Sequence, residues 1–225
     1  GPSDIYNEIL GESFDTEAVV QELGVPGAFR IQHNYFKLHA CCLYNHPVLD
    51  GVQTLLEREK FVAGDVDRIK VEAPALATIM TDPEPVNMLA AKFSLPYAVA
   101  TAVVHNSTDI TAFYPDRLQD PETLALSRRV DIIADPEMDL RRYDYPAAKV
   151  AISLKDGRTF TEDVTAHHGD TENPASREEL VGKFNFLVVD VLGEEGAVRV
   201  VETVGHLDAL GNIKELTRLL KGSQG

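Results

Sequence analysis

Ala147-Ala148-Lys149-Val150-Ala151-Ile152-Ser153-Leu154-Lys155-Asp156-Gly157-Arg158-Thr159-Phe160-Thr161-Glu162-Asp163-Val164 is the stretch whose reading decides the fold. Val150, Ile152 and Leu154 occupy every second position and so share one face of a strand. Asp156-Gly157 between two such runs is a strong hairpin signal, because glycine takes a positive φ at no steric cost. Residues 147–154 and 159–164 therefore read as a pair of antiparallel strands.

Two further strands lie upstream. Residues 66–73 alternate, with Ile69, Val71 and Ala73 on one side and Arg68, Lys70 and Glu72 on the other. Residues 130–134 form a short apolar run that Asp135-Pro136 stops. Between them the pattern is helical. Residues 85–105 are apolar all round, which suits a helix packed on several sides, and Pro96 interrupts them. The spacing predicts a kink or two helices meeting at Ser94, with Tyr97 in the first turn of the second. Asp120-Pro121-Glu122 opens another helix that runs to Arg129. Four strands mixed with helices, without regular βαβ alternation, predict an α+β fold: an antiparallel four-stranded sheet packed with helices, followed by C-terminal helices.

Composition changes after residue 174. Ser176 and Glu179 make a capping box, and Leu180, Val181, Phe184, Leu187, Val188, Val191 and Leu192 form a wide apolar face. Helical segments follow at about 195–209 and 213–221. This tail finds little partner within the chain, and an unpartnered apolar helical face predicts an interface or a missing domain.

The richest chemistry lies in Tyr35-Phe36-Lys37-Leu38-His39-Ala40-Cys41-Cys42-Leu43-Tyr44-Asn45-His46-Pro47. A helix begins at its end, since Asn45 or His46 suits the N-cap and Pro47 the first turn. It runs to about Lys60, with Val48, Val52, Leu55 and Leu56 on one face. Lys37 and His46 then sit near the positive end of a helix dipole, which favours a small anionic ligand. Cys41 and Cys42 read first as small packing residues of this loop, with a nucleophilic pair, favoured by Lys37 and the helix start, as the alternative. Tyr97 either turns its hydroxyl into a cleft at the helix break or bonds a core carbonyl. His167 and His168 follow a strand and precede a turn, so solvent or turn bonding is expected for them.

With 21 Lys and Arg against 36 Asp and Glu, the net charge is −15, which disfavours nucleic acid and anionic membranes as partners. A polycarboxylate needs a locally basic site on such a surface. No membrane span or signal peptide is legible, and Gly1-Pro2-Ser3 reads as the remnant of a cleaved tag. Two adjacent cysteines make no disulfide framework, so a reducing, cytoplasmic location is expected. Ligand spacing for a structural metal is missing, as are a phosphate-cradling glycine loop and a Gly-x-Ser-x-Gly elbow.

Phe36-Lys37 through Cys41-Cys42 to His46 and Asp50 comes first in an ordered set of segments. Ala91-Lys92-Phe93-Ser94-Leu95-Pro96-Tyr97 follows, then Asp156-Gly157-Arg158, Gly169 with Asn173-Pro174, and Glu178-Glu179-Leu180 with Lys183-Phe184. In this order they resemble the C-terminal half of the MmgE/PrpD family, which includes 2-methylcitrate dehydratase, cis-aconitate decarboxylase and iminodisuccinate epimerase.

The resemblance implies a lyase acting on small di- or tricarboxylates, without a metal or organic cofactor. Residues 4–170 would form an α+β lid domain, and 171–225 a helical segment completing an all-helical domain. Lys37, Tyr97 and His46 would be the catalytic residues on the lid side. The partner would be the N-terminal helical half, in a homo- or hetero-oligomer, and the isolated chain would be inactive. A non-catalytic, lid-derived subunit serving dimerisation or regulation of a split enzyme is the alternative.

Overall fold

A computed structural model describes residues 15–27, 29–139 and 147–221; Gly1-Pro2-Ser3 lies outside them. The chain forms two units, Gly1–Tyr35 and Phe36–Gly225. In the first, helix α1 (Thr16–Val20) is capped by Asp15, whose carboxylate accepts the N–H groups of Glu17 and Ala18.

The second unit runs α2 (His46–Glu59), β1 (Val66–Ala73), α3 (Met88–Lys92), α4 (Leu95–His105), α5 (Pro121–Ser127), β2 (Val130–Ala134) and α6 (Pro136–Asp139). It continues with β3 (Ala148–Leu154), β4 (Thr159–Val164), α7 (Arg177–Gly205) and α8 (Lys214–Leu219). The strands lie in the order β2-β1-β3-β4. β3 and β4 form the expected hairpin, closed by Ser153 opposite Thr159, with Gly157 at φ 93° in the turn. β1 joins β3 antiparallel, Ile69 opposite Ile152 and Val71 opposite Val150.

β2 departs from the expected antiparallel sheet. It runs parallel to β1, with Ile69 opposite Val130 and Val71 opposite Ile132, so the sheet is mixed. A parallel pair needs a long crossover rather than a tight turn, and α3, α4 and α5 supply it. This is the one parallel crossover among the described residues.

The core sits between one sheet face and helices α2 and α4. Val48, Leu49, Val52 and Leu55 of α2 are fully buried, as are Ile69, Val71, Val150 and Ile152 of the sheet. Gly51 allows the close approach: a Cβ there would lie 3.1 Å from a methyl of Val150. The opposite sheet face carries exposed Arg68, Lys70 and their partners Asp131 and Glu72. Ser94 separates α3 from α4 as the spacing predicts, and its hydroxyl accepts the Tyr97 N–H at 3.0 Å. Pro96 falls in the first turn of α4, where its missing N–H leaves no bond unmade.

α7 begins with the expected capping box: Ser176 Oγ accepts from the Glu179 N–H, and the Glu179 carboxylate accepts from the Ser176 N–H. Gly193 (φ 67°, ψ 166°) breaks the helix. The two arms fold back on each other, since a Cβ on Gly205 would lie 3.1 Å from the Arg177 guanidinium. Between them runs an apolar groove of about 280 Å³ lined by Leu180, Val181, Phe184, Val200, Val201 and Val204. Phe186, Leu187, Val191, Val198 and Val204 stay exposed. Among the described residues no helix is long and apolar enough to cross a membrane.

Candidate functional site

The loop from Phe36 to Cys42 carries Lys37 and is tied down on nearly every side. The Phe36 N–H donates to Gly169 O at 2.9 Å, the Ala40 N–H to Thr108 O at 2.9 Å, and the Cys42 N–H to Lys92 O at 2.9 Å. Lys183, reaching over from α7, donates its ammonium to Leu38 O at 3.2 Å. Burial lowers the pKa of Lys183. Four segments that are distant in sequence thus converge on one short loop, and an anchored loop presents its side chains in fixed geometry.

Lys37 itself is exposed, and its ammonium makes a long contact of 3.4 Å to Cys41 O. That contact uses one of three donors, so the others can meet a ligand. Cys41 beneath it is buried and its thiol is pushed up to about 12, chiefly by burial, so it stays protonated. The cysteines therefore behave as packing residues here, as their composition predicts.

His46 opens α2, one position past its cap residue Asn45, and is fully buried. Its pKa is lowered to about 2, first by burial and then by His39, His167 and Lys37, so the ring is neutral at physiological pH. Neither ring nitrogen has a hydrogen-bond partner among the described protein groups. Two other imidazoles pack edge-on against it, His39 at 5.0 Å and His167 at 5.4 Å between ring centroids. Of the two placements open to His167, solvent or turn bonding, the structure has the second: its carbonyl accepts the Asp170 N–H at 3.2 Å and its Nδ1 lies 3.6 Å from the Asp170 carboxylate, with the ring fully buried. The reason is topological: β4 delivers residues 165–170 onto the start of α2, where the His46 ring covers His167.

His39 and Asp50 escaped the sequence reading as functional groups. His39 Nε2 lies 2.9 Å from Asp50 Oδ1, and His39 Nδ1 lies 2.5 Å from Thr108 Oγ1. The second oxygen of Asp50 accepts the His168 N–H at 2.6 Å. No short pattern marks this pair, since His39 lies in the loop before α2 and Asp50 on the side of the helix away from Val48, Val52 and Leu55. The His168 ring bonds Glu179 at 2.7 Å; burial pulls its pKa down, but Glu179 outweighs that and the net shift is upward. The cleft of about 480 Å³ on the outer side of Asp50 is walled by Glu57, Glu162 and Asp163. It repels a polycarboxylate, so the cationic side of the loop is the one that suits an anion.

Tyr97 does not join this cluster. It is fully buried, packs 6.2 Å from the Phe113 ring and donates its hydroxyl to Ala112 O at 3.1 Å. Burial raises its pKa to about 12. This is the core phenol bonded to a carbonyl, the second of the two placements open to it from the sequence. Tyr97→Phe leaves the Ala112 carbonyl unsatisfied and should cost about 1–2 kcal/mol, read as a lower urea midpoint at unchanged slope. A variant as stable as the parent would remove that bond from the account.

The MmgE/PrpD C-terminal domain model matches residues 39–208. Cis-aconitate decarboxylase of Mus musculus is 28% identical over 193 residues, 83% of this chain and 39% of the relative. The enzyme of the same name from Aspergillus terreus is 27% identical over 195 residues, 82% of this chain and 40% of the relative. That of Homo sapiens is 24% identical over 192 residues, with 83% and 40% covered. The chain therefore spans about two fifths of the length of these relatives.

Proposed function

This chain belongs to the MmgE/PrpD family, and from that premise we propose that it forms the lysine-bearing side of a lyase site for small di- or tricarboxylates. Cis-aconitate decarboxylation is the favoured reaction, because the similar proteins carry that name. The observation that carries the reading is the Lys37 ammonium, held on an anchored loop at the start of α2 above the neutral, buried His46.

The chemistry asks for such a pair. In decarboxylation the C–C bond to one carboxylate breaks and carbon dioxide leaves. The electron pair stays with the substrate, delocalised onto a neighbouring unsaturated group until a proton is added to one end of the delocalised system. A fixed ammonium next to the carboxylate that accepts this charge stabilises the transition state more than the ground state. Lys37 supplies that charge. His46 adds none, since its ring stays neutral; it offers a dipole and a single N–H in a low-dielectric wall, where polar contacts are strong. In this reading Tyr97 braces α4 through Ala112 and stays clear of the substrate.

The opposite wall of the site belongs to an N-terminal helical half. The short span relative to the family members supports this, as does the exposed apolar face of α7, which suits docking against helices. That face alone would also serve a non-catalytic docking subunit, and Lys37 separates the two readings because such a subunit has no use for it. Turnover of cis-aconitate by this chain combined with an N-terminal half from the family tests the proposal.

A further inference from the structure

We propose that Thr108, His39 and Asp50 form a positioning relay that holds Lys37 and His46 in place, an inference that deepens the lyase reading above and rests on it. None of the three contacts the proposed guest directly. Each lies on a different segment: His39 on the lysine loop, Asp50 in the second turn of α2, and Thr108 in the loop after α4.

The hydrogen-bond directions follow from the chemistry of the groups. An ionised carboxylate only accepts, so His39 Nε2 carries the proton shared with Asp50 at 2.9 Å. In the proposed relay Nδ1 is the acceptor, and the Thr108 hydroxyl donates to it at 2.5 Å. Thr108 is gripped a second time, because its carbonyl accepts the Ala40 N–H at 2.9 Å. Asp50 is likewise used twice, its other oxygen taking the His168 N–H at 2.6 Å. His39 is 4% exposed and Thr108 6%, so water competes little for these bonds.

The consequence reaches both proposed site groups. Lys37 lies two residues before His39, so locking the imidazole fixes the backbone from which the ammonium projects. The His39 ring also packs edge-on against His46 at 5.0 Å and sets how that ring lies. Asp50, through His168, fastens the same unit to the turn whose Gly169 carbonyl receives the Phe36 N–H. The relay therefore closes a circuit around the loop.

Two arms test it. In the chain alone, long-range proton–nitrogen spectra should show His39 with a pyrrole-type Nε2 and a pyridine-type Nδ1, and Thr108→Val should disturb this ring while leaving sheet amides in place. A pyridine-type Nε2 in the parent would overturn the relay whatever the enzyme does. In the reconstituted enzyme, Thr108→Val should lower kcat about tenfold to a hundredfold with little change in KM. Thr108→Ser, which keeps the hydroxyl, should restore most of the rate. Equal kcat for the Val variant and the parent, beside an inactive Lys37→Met, overturns the positioning role alone. An active Lys37→Met overturns the role of Lys37 in the site, and the positioning role with it, and the spectra still decide the relay geometry.

Discussion

Lys37→Met in the reconstituted enzyme should lower kcat by about 10²–10³-fold, the usual loss when one preorganised stabilising group is removed from a site of developing charge. The side chain is exposed, and its only hydrogen bond among the described residues is the 3.4 Å contact to Cys41 O, so removing it should barely change the stability of the fold. Activity and stability should therefore separate cleanly, with a near-normal unfolding midpoint and a nearly silent enzyme. Lys37→Arg keeps the charge but spreads it over a planar fork, and should recover only part of the rate. A Lys37→Met enzyme turning over like the parent would leave this chain in the role of docking subunit.

Gly169→Ala should do the reverse and act on the fold. Gly169 sits at φ +99°, a conformation that side chains rarely adopt, and an added Cβ would stand 2.3 Å from the Phe36 carbonyl oxygen. That oxygen is backbone and cannot swing aside as a long side chain would. The same glycine receives the Phe36 N–H through its carbonyl at 2.9 Å, so relief of the clash breaks that bond as well. A loss of about 3 kcal/mol is expected, measured by urea unfolding, together with faster amide exchange at Ala40 and Cys42. Unchanged stability would mean that the lysine loop is not seated on this turn.

Much of the architecture is legible in the sequence because its signals are local. The alternation at 66–73, the Asp156-Gly157 turn, the break at Ser94 and the Ser176–Glu179 capping box each act within a few residues, and all appear in the structure. The parallel pairing of β1 and β2 is not legible, since register across a helical crossover depends on how α3 to α5 pack and no short pattern encodes it. The site divides along the same line. Lys37, His46 and the helix start between them sit in one segment and were readable together. His39, Thr108, Asp50 and His167 come together only when three distant loops meet, and a histidine quoted alone says nothing about its partner. Tyr97 shows the converse: its place at a helix break was readable, but the direction of its hydroxyl depended on where Ala112 would lie.

In the proposed function this chain carries the cationic wall of a site whose other wall is supplied by an N-terminal helical half. Release of carbon dioxide from cis-aconitate, followed with the two halves separate and then combined, tests it most directly. Neither half alone should release any, and the pair should show saturable release that Lys37→Met abolishes. A folded, stably associated pair that releases none, and converts no other small di- or tricarboxylate, would contradict it.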